Sequence, residues 1–182
     1  GDHPDAKPVF DVYTSIMLRA AHGMEKGYDM SERPLHGNPK FCLGAVCNPG
    51  ADDLDEEVRR VEEKIEAGAR FFQTQAVYEP KKYERFAKAV NGLGATVLAG
   101  IIPLKSARMA RYMNTRVPGI HVPDGLIRRI DEAKDRRKTS IEIAAEIAKE
   151  VRGMCQGLHV MAIGWEDVIP EILKAAGGKR DH

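Results

Sequence analysis

Arg70-Phe71-Phe72-Gln73-Thr74-Gln75-Ala76-Val77-Tyr78 reads as a β-strand, apolar at both ends and carrying two glutamines at its centre. The residues around it repeat one pattern. Upstream, Phe41-Cys42-Leu43-Gly44-Ala45-Val46-Cys47 is a short apolar run ended by Asn48-Pro49-Gly50, the form expected of a strand buried on both faces. Between the two, Leu54 to Gly68 places Val58, Val61, Ile65 and Ala69 at spacings of three and four, which predicts an amphipathic helix with Gly68 near its C-terminus. Downstream, Lys81 to Val90 predicts another helix, and Thr96 to Ile102 a further apolar strand stopped by Pro103.

The pattern extends in both directions. A first helix is expected over Thr14–Met24, capped by Thr14 or Ser15, followed by a connector rich in Gly and Pro over Gly27–Pro39. Ser106 should cap a helix reaching Asn114. The segment Val117–Thr139, with Pro118, Gly119, Pro123 and a charged helix over Asp124–Lys134, resembles an insertion between repeating units. A helix over Ser140–Arg152, a strand over Leu158–Ile163 and a closing helix over Val168–Ala176 complete the chain. Alternating strands and helices predict an α/β fold with a parallel sheet. Four such units are half a (β/α)8 barrel or a small open sheet. A half-barrel leaves two unpaired edges and one bare sheet face, so it needs another half; an open sheet does not.

The 182 residues are 43% apolar and 30% charged, which excludes disorder and supports one domain over residues 1–182. The 28 basic and 27 acidic side chains nearly cancel, so no charge field points to nucleic acid. No run is long enough for a bilayer, and Gly1-Asp2-His3-Pro4 does not read as a signal peptide. Cys42, Cys47 and Cys155 are odd in number and irregular in spacing, which suits a reducing cytoplasm and neither disulfides nor a metal site. The chain lacks an initiator Met, and Gly1-Asp2 reads as the interior of a longer sequence.

In both architectures ligands gather where strands end at their C-termini: Asn48, Gln75–Tyr78, Ile102–Lys105 and Gly164–Glu166. Gln73 and Gln75 share one face, and an amide that donates and accepts at once suits a heterocycle edge; buried glutamines satisfying one another fit the pattern as well. Arg60 and Lys64 stand among Glu56, Glu57, Glu62 and Glu63, either as a solvated face of i,i+4 pairs or leaning toward a diphosphate. Trp165 either plugs the barrel end or walls a pocket. No Gly-x-Gly-x-x-Gly or phosphate-loop motif is present, and no histidine carries a nucleophile signature.

Phe41–Pro49, Glu66-Ala-Gly-Ala-Arg-Phe-Phe-Gln-Thr-Gln75, Ala99-Gly-Ile-Ile-Pro-Leu104 and Met161-Ala-Ile-Gly-Trp-Glu166, in this order, resemble the methylenetetrahydrofolate reductase family, as does Gly1-Asp2. The resemblance covers essentially the whole chain and matches the C-terminal half of that family's TIM barrel, strands five to eight. It implies an oxidoreductase of one-carbon metabolism, tetrahydrofolate interconversion and methionine biosynthesis. In that family FAD lies at the barrel mouth and passes a hydride to 5,10-methylenetetrahydrofolate.

By the same resemblance, Asp2 and Gln75 are the catalytic and pterin-binding residues. Gly1, Asp2, Asn48, Arg60, Lys64, Ala69 and Gln73 border the cofactor, and Tyr78 and Lys105 border the folate. Asn48 stands where many relatives have His. Ala107 stands where several relatives shield a nicotinamide with an aromatic ring, so NAD(P)H and a redox partner protein both remain open as electron source. The acidic proton donor belongs to the first barrel strand, upstream of Gly1, so the chain alone should be inactive and require its N-terminal half. A homo-oligomer remains open. The alternative, from another class, is a non-catalytic half-barrel subunit of a redox or folate-enzyme assembly.

Overall fold

Four strands, β1 (Gly44–Cys47), β2 (Phe71–Ala76), β3 (Thr96–Ile101) and β4 (Gly157–Val160), lie parallel in the order β1-β2-β3-β4 in a computed structural model that describes residues 12–178. Helices α1 (Thr14–Glu25), α2 (Leu54–Glu66), α3 (Pro80–Val90), α4 (Ala107–Arg116), α5 (Asp124–Asp131), α6 (Arg136–Val151) and α7 (Ile169–Ala175) alternate with them. Sequential parallel order is what helical crossovers between neighbouring strands produce. This α/β arrangement is consistent with part of a TIM barrel.

The helices cover one face of the sheet. Along β2 burial alternates, with Phe72, Thr74 and Ala76 buried and Phe71, Gln73 and Gln75 half-exposed. Phe72, Ala99 and Ile101 join Val61 of α2, Phe86 of α3 and Ile143 and Ile147 of α6 in the core. Among the described residues the opposite face is open, and this corrects the expectation that the first strand is buried on both sides: Val46 is 63% exposed. That strand is also shorter than expected: Phe41 to Leu43 lie outside it, although the Leu43 carbonyl still accepts from the Arg70 N–H at 2.8 Å. On the open face the Phe71 ring lies against Gly44, where any β-carbon would collide with it.

Helix ends follow local chemistry with three departures. Asp53 accepts from the Glu56 N–H at 2.9 Å and Ser106 from the Met109 N–H at 3.1 Å, both ordinary N-caps. Gly68 turns the chain at φ +110° beyond α2, as its position predicted. Helix α1 is instead preceded by extended Tyr13 with no side-chain cap, so Thr14 lies inside it. Helix α6 starts four residues early, at Arg136, because Asp135 accepts from the Lys138 N–H at 3.0 Å. Ser140, the expected start, is a buried interior residue. The last helix is entered through a 3-10 turn over Glu166–Val168.

Candidate functional site

The centre of the candidate site is an irregularity in β2. Gln73 pairs with Leu98 and Ala76 with Gly100, so Thr74 and Gln75 together oppose Ala99. This is a bulge, a device that bends a strand and re-aims a side chain. Buried Thr74 fills the gap in the ladder: its hydroxyl donates to the Gln75 carbonyl at 2.7 Å and accepts from the Gly100 N–H at 2.9 Å. Gly100 permits the close approach, since a β-carbon there would stand 2.5 Å from the Thr74 carbonyl oxygen and 2.9 Å from that of Gln75. Gln73, mid-strand, and Gln75, near the C-terminal end of β2, share the open face, with Val46 beside Gln73 on β1 and Leu98 beside it on β3. His159 lies opposite Gly100, its Nδ1 buried with no partner among the described residues.

Around this centre the strand ends are pinned. The Asn48 N–H donates to Glu57 Oε1 at 2.7 Å, and Glu57 is 5% exposed, which is rare for a carboxylate. Asn48 Oδ1 accepts from the Gly50 N–H at 3.0 Å, and the Asn48 amide packs on Gly119, which has φ +80°. The segment from Val117 to Pro123 thus reaches back over the end of β1. His121 in this segment lies 2.8 Å from Glu79 Oε2, which Lys82 also contacts at 2.7 Å. Burial works to raise the Glu79 pKa, but the hydrogen bonds from Lys82 and His121 outweigh it and hold the carboxyl below its ordinary range. Burial, then the nearby Glu57 charge, pushes the Cys47 thiol up to about 12.

Several expected site residues are committed elsewhere. Lys64 Nζ donates to the Val46 carbonyl at 2.8 Å on the edge strand β1. Arg60 joins Glu56 at 3.0 Å on the exposed side of α2, the solvated ion-pair arrangement. Ala69 is 5% exposed and packs in the core. Tyr78 is buried beneath α4, with its hydroxyl donating to the Ile102 carbonyl at 2.9 Å and lying 4.0 Å from Met113 Sδ. Burial raises its phenol pKa. Lys105 donates to the Ile163 carbonyl and lies 5.6 Å from the centroid of Trp165, which packs against the core. Gly1 and Asp2 lie outside the described residues.

The structure therefore brings Gln73 and Gln75 together on the open face and Lys105 with Trp165 at the β3–β4 rim, and leaves Ala69, Tyr78 and Arg60 away from that face. Thr74, Glu57 and the His121–Glu79 pair were not singled out from sequence. A threonine between two glutamines was the available signal for the first; nothing local to the sequence marked the others.

A model of the family described as "Methylenetetrahydrofolate reductase" matches residues 37–177. Methylenetetrahydrofolate reductase 1 of Schizosaccharomyces pombe is 24% identical over 153 residues, covering 78% of this chain and 25% of that protein. Methylenetetrahydrofolate reductase 2 of the same organism is 28% identical over 161 residues, covering 75% and 25%. A probable methylenetetrahydrofolate reductase (NADPH) of Caenorhabditis elegans is 27% identical over 159 residues, covering 80% and 23%. The chain spans about a quarter of the length of these relatives.

Proposed function

The chain belongs to the methylenetetrahydrofolate reductase family, and from that premise we propose that it forms part of a site reducing 5,10-methylenetetrahydrofolate to 5-methyltetrahydrofolate with FAD. The observation that carries this reading is the pair of partly exposed amides, Gln73 and Gln75, which alternation along β2 sets together on an open sheet face, with Gln75 in the bulge near the C-terminal end of the strand. Such amides donate and accept together, as the edges of pterin and isoalloxazine rings require. The donor set fits both ring systems. FAD, when bound there, would supply the redox chemistry, with NAD(P)H or a redox partner protein as the electron source and the folate as the hydride acceptor.

In this reading Gln73, Asn48 and Lys64 border the cofactor, Gln75 and Asp2 hold the pterin, and Lys105 serves the folate side of the mouth. Glu57 and Gly119 fix the position of Asn48. Ala69 and Tyr78, both buried, support the site from behind the sheet, and Arg60 contributes charge from the α2 surface. Val46, exposed on the open face, and the outer edges of β1 and β4, which pair with no further strand among the described residues, suit a ring completed by further β/α units. We place those units in the remainder of a longer polypeptide, as the length of the relatives supports.

The complete polypeptide carrying these residues should purify with a flavin absorption spectrum or acquire one when FAD is added. Gln75→Glu should slow the folate half-reaction by about tenfold or more while leaving flavin reoxidation by an artificial acceptor within about twofold. Equal losses in both half-reactions would remove Gln75 from the folate site. A complete polypeptide that takes up no flavin would favour a non-catalytic subunit.

A further inference from the structure

Ile163 has φ +51°, a conformation that a β-branched side chain rarely adopts because its γ-carbons crowd the backbone. Gly164 follows at φ +74°, so the chain leaves β4 through two successive left-handed residues. The Ile163 side chain gains little burial there, being 56% exposed. Such a conformation persists only where the surroundings over-determine it. Here three contacts do so. The Lys105 ammonium donates to the Ile163 carbonyl, the Gly164 N–H donates to Glu166 Oε1 at 3.0 Å, and the same ammonium lies 5.6 Å from the centroid of the Trp165 ring. Lys105 follows β3, so this tether joins the rim after β3 to the turn after β4.

A cation already shared between a carbonyl and an indole face is poorly placed to serve as a free charge for a ligand. We propose that Lys105 is a positioning residue: it holds the Ile163–Gly164 turn left-handed and thereby fixes Ile163 and Trp165 at the mouth of the sheet. The inference deepens the proposed function by assigning Lys105 an indirect role, and rests on that reading only for what the mouth binds.

The test uses the complete polypeptide and the variants Lys105→Met, Lys105→Arg, Ile163→Gly and Lys105→Met/Ile163→Gly. With glycine at 163 the left-handed turn needs no tether. Lys105→Met should therefore lower the folding equilibrium constant about fivefold in the parent background and less than about twofold in the Ile163→Gly background. The protein is also labelled with 5-fluorotryptophan, and the Trp165 resonance is assigned by its loss in Trp165→Phe. Lys105→Met should shift that resonance, and Lys105→Arg, which can donate to a carbonyl and stack on indole, should return it toward its parent position. Equal stability losses in the two backgrounds, or an unmoved Trp165 resonance, would overturn the proposal. A raised KM for the folate with stability and resonance unchanged would overturn it too, by assigning Lys105 to direct binding. A protein that binds no flavin yet shows the coupling would sink the proposed function and leave this inference standing.

Discussion

Replacing Thr74 with valine keeps the shape of the side chain and removes only the hydroxyl that bridges the β2 bulge. The consequence follows from two bonds: the Gly100 N–H loses its acceptor and the Gln75 carbonyl loses a donor. Thr74 is 4% exposed, so water cannot readily replace the lost partner. Each unsatisfied buried group costs about 1 to 3 kcal/mol, and the added methyl returns about 0.8 kcal/mol, leaving a loss of about 3 kcal/mol. With a urea m-value of about 2 kcal/mol/M, the midpoint should fall by about 1.5 M at constant m. Thr74→Ser retains the hydroxyl and loses one buried methyl, so it should cost about 1 kcal/mol and move the midpoint by about 0.5 M. Urea titrations followed by circular dichroism compare the two. If Thr74→Val lowers stability by no more than Thr74→Ser, the hydroxyl does not hold the bulge and the account of how Gln75 is aimed fails.

Glu57→Ala strands the Asn48 N–H and should destabilise by about 2 kcal/mol, whereas Glu57→Gln keeps an acceptor and should cost less than about 1 kcal/mol; urea midpoints of the pair check this. Cys47, buried and with its thiol raised to about 12, should resist iodoacetamide at pH 8 in the folded protein while exposed Cys42 is alkylated, as peptide mass mapping would show. Glu79 has a depressed pKa in the folded state, so its contribution to stability is complete above the unfolded-state value near 4.5 and disappears as pH falls through the lower folded value. Stability measured against pH should therefore decline on acidification below about 4.5, and Glu79→Gln should make that decline shallower. An unchanged acid limb in that variant would mean that the contacts with Lys82 and His121 do not stabilise the fold.

The repeating units were legible because periodicity reports which face a residue occupies. The alternation through Gln73, Thr74, Gln75 and Ala76 placed the glutamines on one face, and the structure has that arrangement. The bulge was not legible, because it is a mismatch between two strands and depends on where Gly100 falls opposite Thr74. The end of the Arg70–Tyr78 strand and the family resemblance both put Tyr78 at the rim; its hydroxyl instead packs beneath α4 against Met113, a tertiary fact that no local pattern encodes. The start of α6 was missed because Asp135 and Ser140 are both plausible caps, and only the observed bond to Lys138 separates them. The left-handed Ile163 was invisible for a similar reason: its sequence neighbours give no hint of a tether from Lys105, 58 positions earlier.

The order of strands in the sheet has a consequence for how the chain assembles. Gly44 pairs with Phe71, 27 positions later, and Phe71 with Thr96, 25 positions later, but Leu98 pairs with Gly157, 59 positions later. Each strand closes onto one that has already emerged during synthesis, so the sheet can grow from its first edge toward its last. The final closure spans slightly more than twice the earlier intervals because three helices, α4, α5 and α6, lie between β3 and β4 where one helix separates each earlier pair, and a doubling of loop length adds about 0.6 kcal/mol to its entropic cost. Docking of β4 therefore carries the largest loop-closure cost of the three pairings, and the rim that Lys105 and Trp165 build depends on it.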